Sequence, residues 1–366
     1  MRKILITPVL FGLFFFWEIS QTFSDKGKED KYYAHINSFN DFSIPIENKS
    51  VSYQLKNKLS RFDQASIIDT QVNELLENNE IKGASVAVAH DGKLVYAKGF
   101  GYANFETGEM VEPKHLFRIA SVSKLITAVA VMKLVEDGKL KLDDRAFGDE
   151  GILIDSCYMN YTDPNIEKIT IKMLLNHTAG WFEKYGDPVF TPFTISRQMN
   201  DELPISIQTL IEYALLFKLA NEPGEEYNYS NLSYVILGEI IAKVTNMGYE
   251  DYVQSSILNP IGIYDMHLGK SFYDERARNE VKYYLAPGIA HNTYAIDGSG
   301  KRVPEPYGGN DIEILGAAGG WIASAPELMK FILAVDGYND VPDILSNETI
   351  KLMVTPDDNR YTLLGW

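Results

Sequence analysis

The stretch "RIASVSKLITAVAVMKLVEDGK", Arg118 to Lys139, decides how this chain is read. From Leu125 to Val135 it is apolar almost without interruption, which predicts one helix buried nearly all round. Lys124 falls in the first turn of that helix, with Ser121 one turn earlier. A helix N-terminus carries partial positive charge and favours Asp or Glu, so on structural grounds an ammonium there is misplaced. Residues at i and i+3 share a helix face, which brings the two side chains within contact. A serine hydroxyl becomes a good nucleophile when a neighbouring base takes its proton. Burial and the positive end of a helix both favour the neutral form of a lysine, so the position that is wrong for a structural lysine suits a proton acceptor. The plain alternative is a serine that caps the helix and a lysine that reaches solvent, because a chain of this length contains roughly one S-x-x-K by chance.

Outward from this stretch the pattern is mixed. "FDQASIIDTQVNELLENNEIKG" has helical spacing at Ile67, Ile68, Val72, Leu75 and Leu76 and is expected to close on Gly83. "ASVAVAHDGKLVYAKGFGYAN" predicts a hairpin, with apolar runs 84–89 and 94–100 flanking an Asp91-Gly92 turn. A helix followed by a hairpin implies a sheet with helices packed on it. Downstream, "ITIKMLLNHTAGW" predicts a short helix ending near Gly180. "LSYVILGEIIAKVTNMG" predicts a longer one, with Asn231 near its start and Gly248 at its end. "GAAGGWIASAPELMKFILAV" is glycine-rich and then helical, opened by Ser324 as N-cap and Pro326 at the first helical position.

The N-terminus begins with Arg2 and Lys3 followed by an apolar run from Ile4 to Trp17, the length of a secretory core and short for a membrane span. Residues 1–24 are therefore expected to be a signal peptide or an N-terminal anchor. Residues 25–61 are polar and weakly periodic and are expected to form a linker or loose arm. A single domain is expected over 62–366.

Composition excludes several function classes. The 366 residues carry 50 acidic and 34 basic side chains, a net charge of -16 that argues against nucleic acid as a partner. The single cysteine, Cys157, excludes an intrachain disulfide and a cysteine-rich metal site. The six histidines show no H-E-x-x-H or comparable ligand spacing, so neither a metal nor another cofactor is implied.

With these residues in view, the chain resembles the serine beta-lactamase and penicillin-binding-protein superfamily, in its class C beta-lactamase, D-alanyl-D-alanine carboxypeptidase and esterase branch. S-x-x-K is that superfamily's first motif, here Ser121 to Lys124. The second, Y-x-N, matches Tyr229-Ser230-Asn231 in "NEPGEEYNYSNLSYVILGEII". "ITIKMLLNHTAGW" resembles a family L-L-x-H-T-[SA]-G segment, and "GAAGGWIASAPELMKFI" its A-G-G-[LW]-x-S-x-x-[DE]-L-x-x-F segment. Tyr102-Ala103-Asn104 also spells Y-x-N, but it precedes Ser121 and belongs to the hairpin. His177 matches a family loop position that is not catalytic. A G-x-S-x-G elbow is absent.

The resemblance implies an α/β (α+β) beta-lactamase/transpeptidase-like fold, with an antiparallel sheet flanked by helices and a mainly helical region. It implies an exported serine hydrolase, periplasmic or secreted, acting through a covalent acyl-enzyme on an amide, beta-lactam or ester. Its partner would be a small molecule or a peptidoglycan-like peptide, with membrane contact only through an uncleaved N-terminal segment. Ser121 would be the nucleophile, Lys124 its base, Tyr229 a proton shuttle, Asn231 a binder of the substrate amide, and the Ser121 backbone N–H one oxyanion donor. The family's third motif, [KH]-[TS]-G or a variant, has no match after "GGWIAS". "YTLLGW" resembles the Y-G-L-G-W that precedes it, so the last strands and closing helix are expected beyond Trp366, leaving a sheet edge unpaired. The alternative implied by that departure is a non-catalytic penicillin-binding-like sensor.

Overall fold

The computed structural model describes residues 50–60, 65–181, 186–286, 292–356 and 363–365. The expected leader and residues 25–49 of the expected arm lie outside the described residues.

The first helix, α1 (Ala65–Asn78), buries Ala65, Ile68, Val72 and Leu76, spaced three and four apart, and turns its polar side outward. It ends five residues before Gly83, with Glu80 in the left-handed region (φ 53°) helping to turn the chain; Gly83 instead opens a strand. Strands β1 (Gly83–His90) and β2 (Lys93–Asn104) form the expected hairpin, paired from Gly83↔Gly101 to His90↔Lys93 with a shift of register between Val88 and Ala89. Its turn places both Asp91 (φ 49°) and Gly92 (φ 68°) at positive φ, the backbone that matches the twist of paired strands. A short β3 (Glu109–Met110) returns along β2. Gly99 allows that return, because a Cβ there would lie 2.3 Å from the Val111 carbonyl oxygen. The buried face of α1 packs on Tyr96 and Phe100 of β2.

Residues 50–60, expected within a loose arm, are attached to this sheet. Asn57 Nδ2 donates to the Val111 carbonyl and its Oδ1 accepts from Gly99 N–H, both at 2.7 Å. Ser60 Oγ donates to the Ala97 carbonyl at 2.6 Å and accepts from Ala97 N–H at 2.9 Å. Their polar composition, which looked like a linker, instead satisfies backbone groups along β2.

A second sheet positions the site. Strand β4 (Phe117–Arg118) is followed by helix α2 (Ser123–Glu136), then α3 (Ile171–Leu175), α4 (Pro192–Met199), α5 (Ile207–Leu215), α6 (Asn231–Thr245) and α7 (Tyr249–Val253). Strand β5 (His267–Leu268), the β6–β7 ribbon (Asn292–Tyr294, Arg302–Pro304) and α8 (Ile312–Leu315) lead to β8 (Trp321–Ala323). In this sheet β8 lies between β4 and β5, antiparallel to both. Helices α9 (Ala325–Leu333) and α10 (Asn347–Val354) follow, and α9 packs against β1 and β2. Among the described residues, β1 pairs with β2 alone.

The main core gathers around α2, where Ile126, Ala128 to Met132 and Leu134 are fully buried. Helix α6 lies against it with Tyr234, Ile236, Leu237, Ile240 and Ile241 equally buried. A helix without a polar face is stable in water only inside such a core.

Local boundaries depart from the sequence reading in four further places. The Ile171–Leu175 helix stops well before Gly180, because His177 adopts positive φ (60°) and breaks the turn. Helix α6 is closed by Asn246 in the left-handed conformation, and Gly248 instead precedes α7. Pro326 is the second residue of α9, after the Ser324 cap that accepts from Glu327 N–H. The fourth departure, at Arg118, shapes the site.

Candidate active site

The expected single helix from Arg118 is three elements. Phe117 and Arg118 are strand, held to Ala323 and Ile322 of β8. Ala120 to Val122 then form one tight 3-10 turn, and α2 proper begins at Ser123. Ala120 stands at φ 47°, a left-handed conformation that costs an L-residue about 1–2 kcal/mol. This strand-to-helix corner leaves Ser121 exposed at the surface while Lys124, one turn on, is buried at 5% exposure. The i, i+3 relationship therefore survives, across a junction and not along one helix.

Lys124 is not misplaced, because its Nζ has acceptors. It donates to the Ala318 carbonyl at 2.6 Å and to Asn231 Oδ1 at 2.7 Å, with Ser121 Oγ at 3.4 Å. Two short bonds and one long one suit a neutral amine as well as an ammonium. The two N–H groups of the amine would serve the carbonyl and the amide oxygen, and its lone pair would face the serine hydroxyl.

The Ala318 acceptor comes from a π-helical turn, Gly316–Gly320, a wide-coil geometry found at functional sites. Side chains of α2 pin that turn. Thr127 Oγ1 donates to the Ala317 carbonyl at 2.7 Å, and Ser123 Oγ accepts from Trp321 N–H at 3.2 Å. Tyr249 Oη lies 2.6 Å from Thr127 Oγ1 and accepts from Trp321 Nε1 at 2.9 Å. Burial raises the Tyr249 phenol well above its ordinary value, so it stays protonated in this network.

The start of α6 supplies the other wall. Ser230 is the N-cap, accepting from Ser233 N–H at 3.1 Å, so that Asn231 opens the helix and Tyr229 stands just before it. Tyr229 Oη donates to Ser121 Oγ at 2.7 Å, and its ring lies 4.8 Å from Lys124 Nζ. Asn231 turns Oδ1 to Lys124 and donates from Nδ2 to Asp187 Oδ2 at 2.6 Å. Thus Ser121, Lys124, Tyr229 and Asn231, separated by about a hundred residues, meet at one point. Tyr102 lies elsewhere, on β2 beside Phe105, as expected of a hairpin residue.

His177 borders the group without touching Ser121. Its Nδ1 accepts from Ser230 N–H at 3.1 Å and its carbonyl accepts from Asn228 N–H at 2.8 Å, so it brackets Tyr229 on both sides. Its ring stacks between Tyr229 and Tyr234, at 4.7 and 5.1 Å. Burial first, and the Lys124 charge second, lower its pKa to about 3, which keeps it neutral.

An exposed serine hydroxyl on a corner before a buried helix, a buried lysine beside it, and a Tyr-x-Asn at the start of a second helix are now in place. The beta-lactamase family model matches residues 68–365. The chain belongs to the beta-lactamase family. Among relatives, the putative penicillin-binding protein PbpX of Bacillus subtilis is 28% identical over 325 residues, covering 88% of this chain and 72% of that protein. Protein flp of Staphylococcus aureus is 32% identical over 199 residues, covering 54% of this chain. The chain spans only 37% of the length of flp. The octameric penicillin-binding protein homologue from Pyrococcus abyssi superposes with a TM-score of 0.60 at 28% identity, over 83% of this chain and 64% of that one. The D-amino acid amidase from Ochrobactrum anthropi gives 0.61 at 24% identity, over 81% and 76%, which speaks for the fold. The observed architecture, antiparallel sheets with helices packed on them, is that of the family.

The sequence reading of this beta-lactamase-family site missed Asp187, the Ala318 carbonyl and the Thr127–Tyr249 pair. Only the first had a local signal, Asp187-Pro188, which is an N-cap followed by proline at N1. Nothing local connects it to Asn231.

Proposed function

We propose that this chain is an exported serine hydrolase that forms a covalent acyl-enzyme at Ser121. The observation that carries this reading is the placement of Ser121 Oγ, 2.7 Å from Tyr229 Oη and 3.4 Å from a Lys124 whose two short bonds go elsewhere. Ser121 gives its proton to Lys124 as its oxygen attacks a substrate carbonyl. The backbone N–H of Ser121, in the first turn of its 3-10 segment, is the group we assign as a donor to the developing oxyanion. When the tetrahedral species collapses, the leaving group takes a proton relayed through Tyr229. Water then enters along the same path, gives its proton back through Tyr229, and releases the acid and Ser121.

The substrate class we propose is a small amide, ester or beta-lactam, including peptides like those of peptidoglycan. Membership of the beta-lactamase family and the likeness to PbpX support it. Export is proposed from Arg2 and Lys3 ahead of the apolar run Ile4 to Trp17. Cell fractionation that recovers the protein with an intact N-terminus in the cytoplasm would reject it.

Incubation of the purified chain with a fluorophosphonate and with a fluorescent penicillin tests the chemistry. Labelling that disappears in Ser121→Ala is expected with at least one probe. Absence of Ser121-dependent label with both probes would reject the hydrolase and favour a non-catalytic binding module. Slow release of the penicillin adduct would mark a peptidase-like enzyme, and rapid release a beta-lactamase.

A further inference from the structure

Asn231 presents its amide in one orientation, oxygen to Lys124 Nζ and nitrogen to Asp187. A side-chain amide turned through 180° fills nearly the same space. Turned, Asn231 would aim N–H groups at Lys124, donor against donor, and the amine would lose one of its two short bonds. Asn231 and Lys124 are both buried, so neither would recover the loss from water.

Asp187 removes that choice. Asp187 is 6% exposed, and both carboxylate oxygens accept: Oδ2 from Asn231 Nδ2 at 2.6 Å, Oδ1 from Val189 N–H at 3.1 Å. An ionised carboxylate has acceptors only, so it can meet nothing but the nitrogen end of the amide. The backbone holds it there independently of α6. Asp187 is the extended N-cap of the 3-10 turn Pro188–Phe190, and Pro188 fixes the start of that turn.

We propose that Asp187 is the positioning residue of the site, fixing the Asn231 amide with its oxygen towards Lys124. This rests on the acylation reading above and assigns to it a residue that touches neither Ser121 nor the reacting carbonyl. Asparagine cannot replace it. With a single acceptor oxygen, the side chain of an Asp187→Asn variant would serve Val189 N–H or Asn231 Nδ2 but not both.

Two variants and two readouts test the proposal. Asp187→Ser keeps a short side chain able to cap Val189 N–H but cannot reach Asn231. Asp187→Asn keeps the shape and loses the second acceptor. Side-chain 15N–1H spectra of the wild type are expected to show one Asn231 amide proton moved downfield and slow to exchange, and to lose that signature in both variants. Fluorophosphonate labelling of Ser121 is expected to fall about ten- to a hundredfold, the scale of a small misplacement in a preorganised site. Wild-type labelling rates in a folded Asp187→Ser, or an ordinary Asn231 amide signal in the wild type, would overturn the proposal. If the wild type shows no Ser121-dependent label, the acylation reading fails, while the Asn231 signature still decides the role of Asp187.

Discussion

The Tyr229 hydroxyl lies 2.7 Å from Ser121 Oγ, nearer than the 3.4 Å that separates the same oxygen from Lys124 Nζ. In this state the phenol donates to the serine, and the lysine is bound more tightly to Asn231 and Ala318. Proton transfer through a positioned side chain contributes typically 10²- to 10⁴-fold. Tyr229→Phe is therefore expected to slow labelling of Ser121 by the fluorescent penicillin, whose leaving nitrogen takes the relayed proton, by about 10²-fold or more, by stopped-flow or gel readout. Tyr229 is exposed, so its unfolding free energy should move by no more than about 0.5 kcal/mol. A variant that labels normally would place the proton path through Lys124 alone.

His177 makes stability depend on pH in a defined direction. Its folded pKa is about 3, against an ordinary 6.5, so between those values the unfolded chain binds the proton and the folded chain does not. Stability from this group is complete above about pH 6.5 and declines as pH falls towards 3, by up to about 1.4 kcal/mol per pH unit. Asp265 and Glu327, whose pKa values burial raises, act in the opposite sense and lose stability as pH rises. The His177 part is thus read as a difference. Urea unfolding at pH 7 and pH 4.5 should show a smaller acid loss in His177→Asn than in the wild type. Equal losses would mean that His177 titrates normally. In Lys124→Met, an NMR titration should find the His177 pKa raised but still below 6.5, because burial is the larger cause.

How much of this was legible in the sequence varied with the range of the interaction. The α1 periodicity, the Asp91-Gly92 turn and the Ser324 cap are set by residues within a few positions of one another, and the chain displays them locally. Ser121 with Lys124, and Tyr229 with Asn231, are short local pairs as well. Their meeting is a tertiary fact that only the family resemblance brought into view. The break at Ala120 was hidden because alanine favours helix, and strand pairing of Arg118 with Ile322 overrides that preference. The polar residues at 50–60 read as linker because their partners, Ala97, Gly99 and Val111, lie 37 to 54 positions away.

Ala120 holds strain next to Ser121. Its left-handed backbone costs about 1–2 kcal/mol, and glycine would remove that at an entropic cost of roughly 0.4–1 kcal/mol in the unfolded chain. Ala120→Gly is expected to leave the protein equally stable or up to about 1.6 kcal/mol more stable by urea titration. Ala120→Val, branched at Cβ, should cost more than the wild-type strain does, because valine tolerates positive φ poorly. A destabilised glycine variant would show that Ala120 is not held against its preference.

Gly238 connects the interior of α6 to the lysine. A Cβ at this position would stand 2.8 Å from Ala317 Cβ, in the π-helical turn whose next carbonyl accepts from Lys124. Gly238→Ala adds helix propensity worth about 0.8–1 kcal/mol, yet it forces helix and turn apart in a fully packed region. Two outcomes are then in competition. If the turn yields, the Ala318 carbonyl moves away from Nζ and Ser121 labelling falls, while stability changes little. If it resists, stability falls by about 1–3 kcal/mol and labelling per folded molecule is kept. The bonds from Thr127 to Ala317 and from Trp321 N–H to Ser123 hold the turn at both ends, which favours resistance. The expected result is therefore a less stable protein with near-normal labelling. Gly238→Ala combined with Thr127→Val, which frees one end, should convert that stability loss into a loss of labelling.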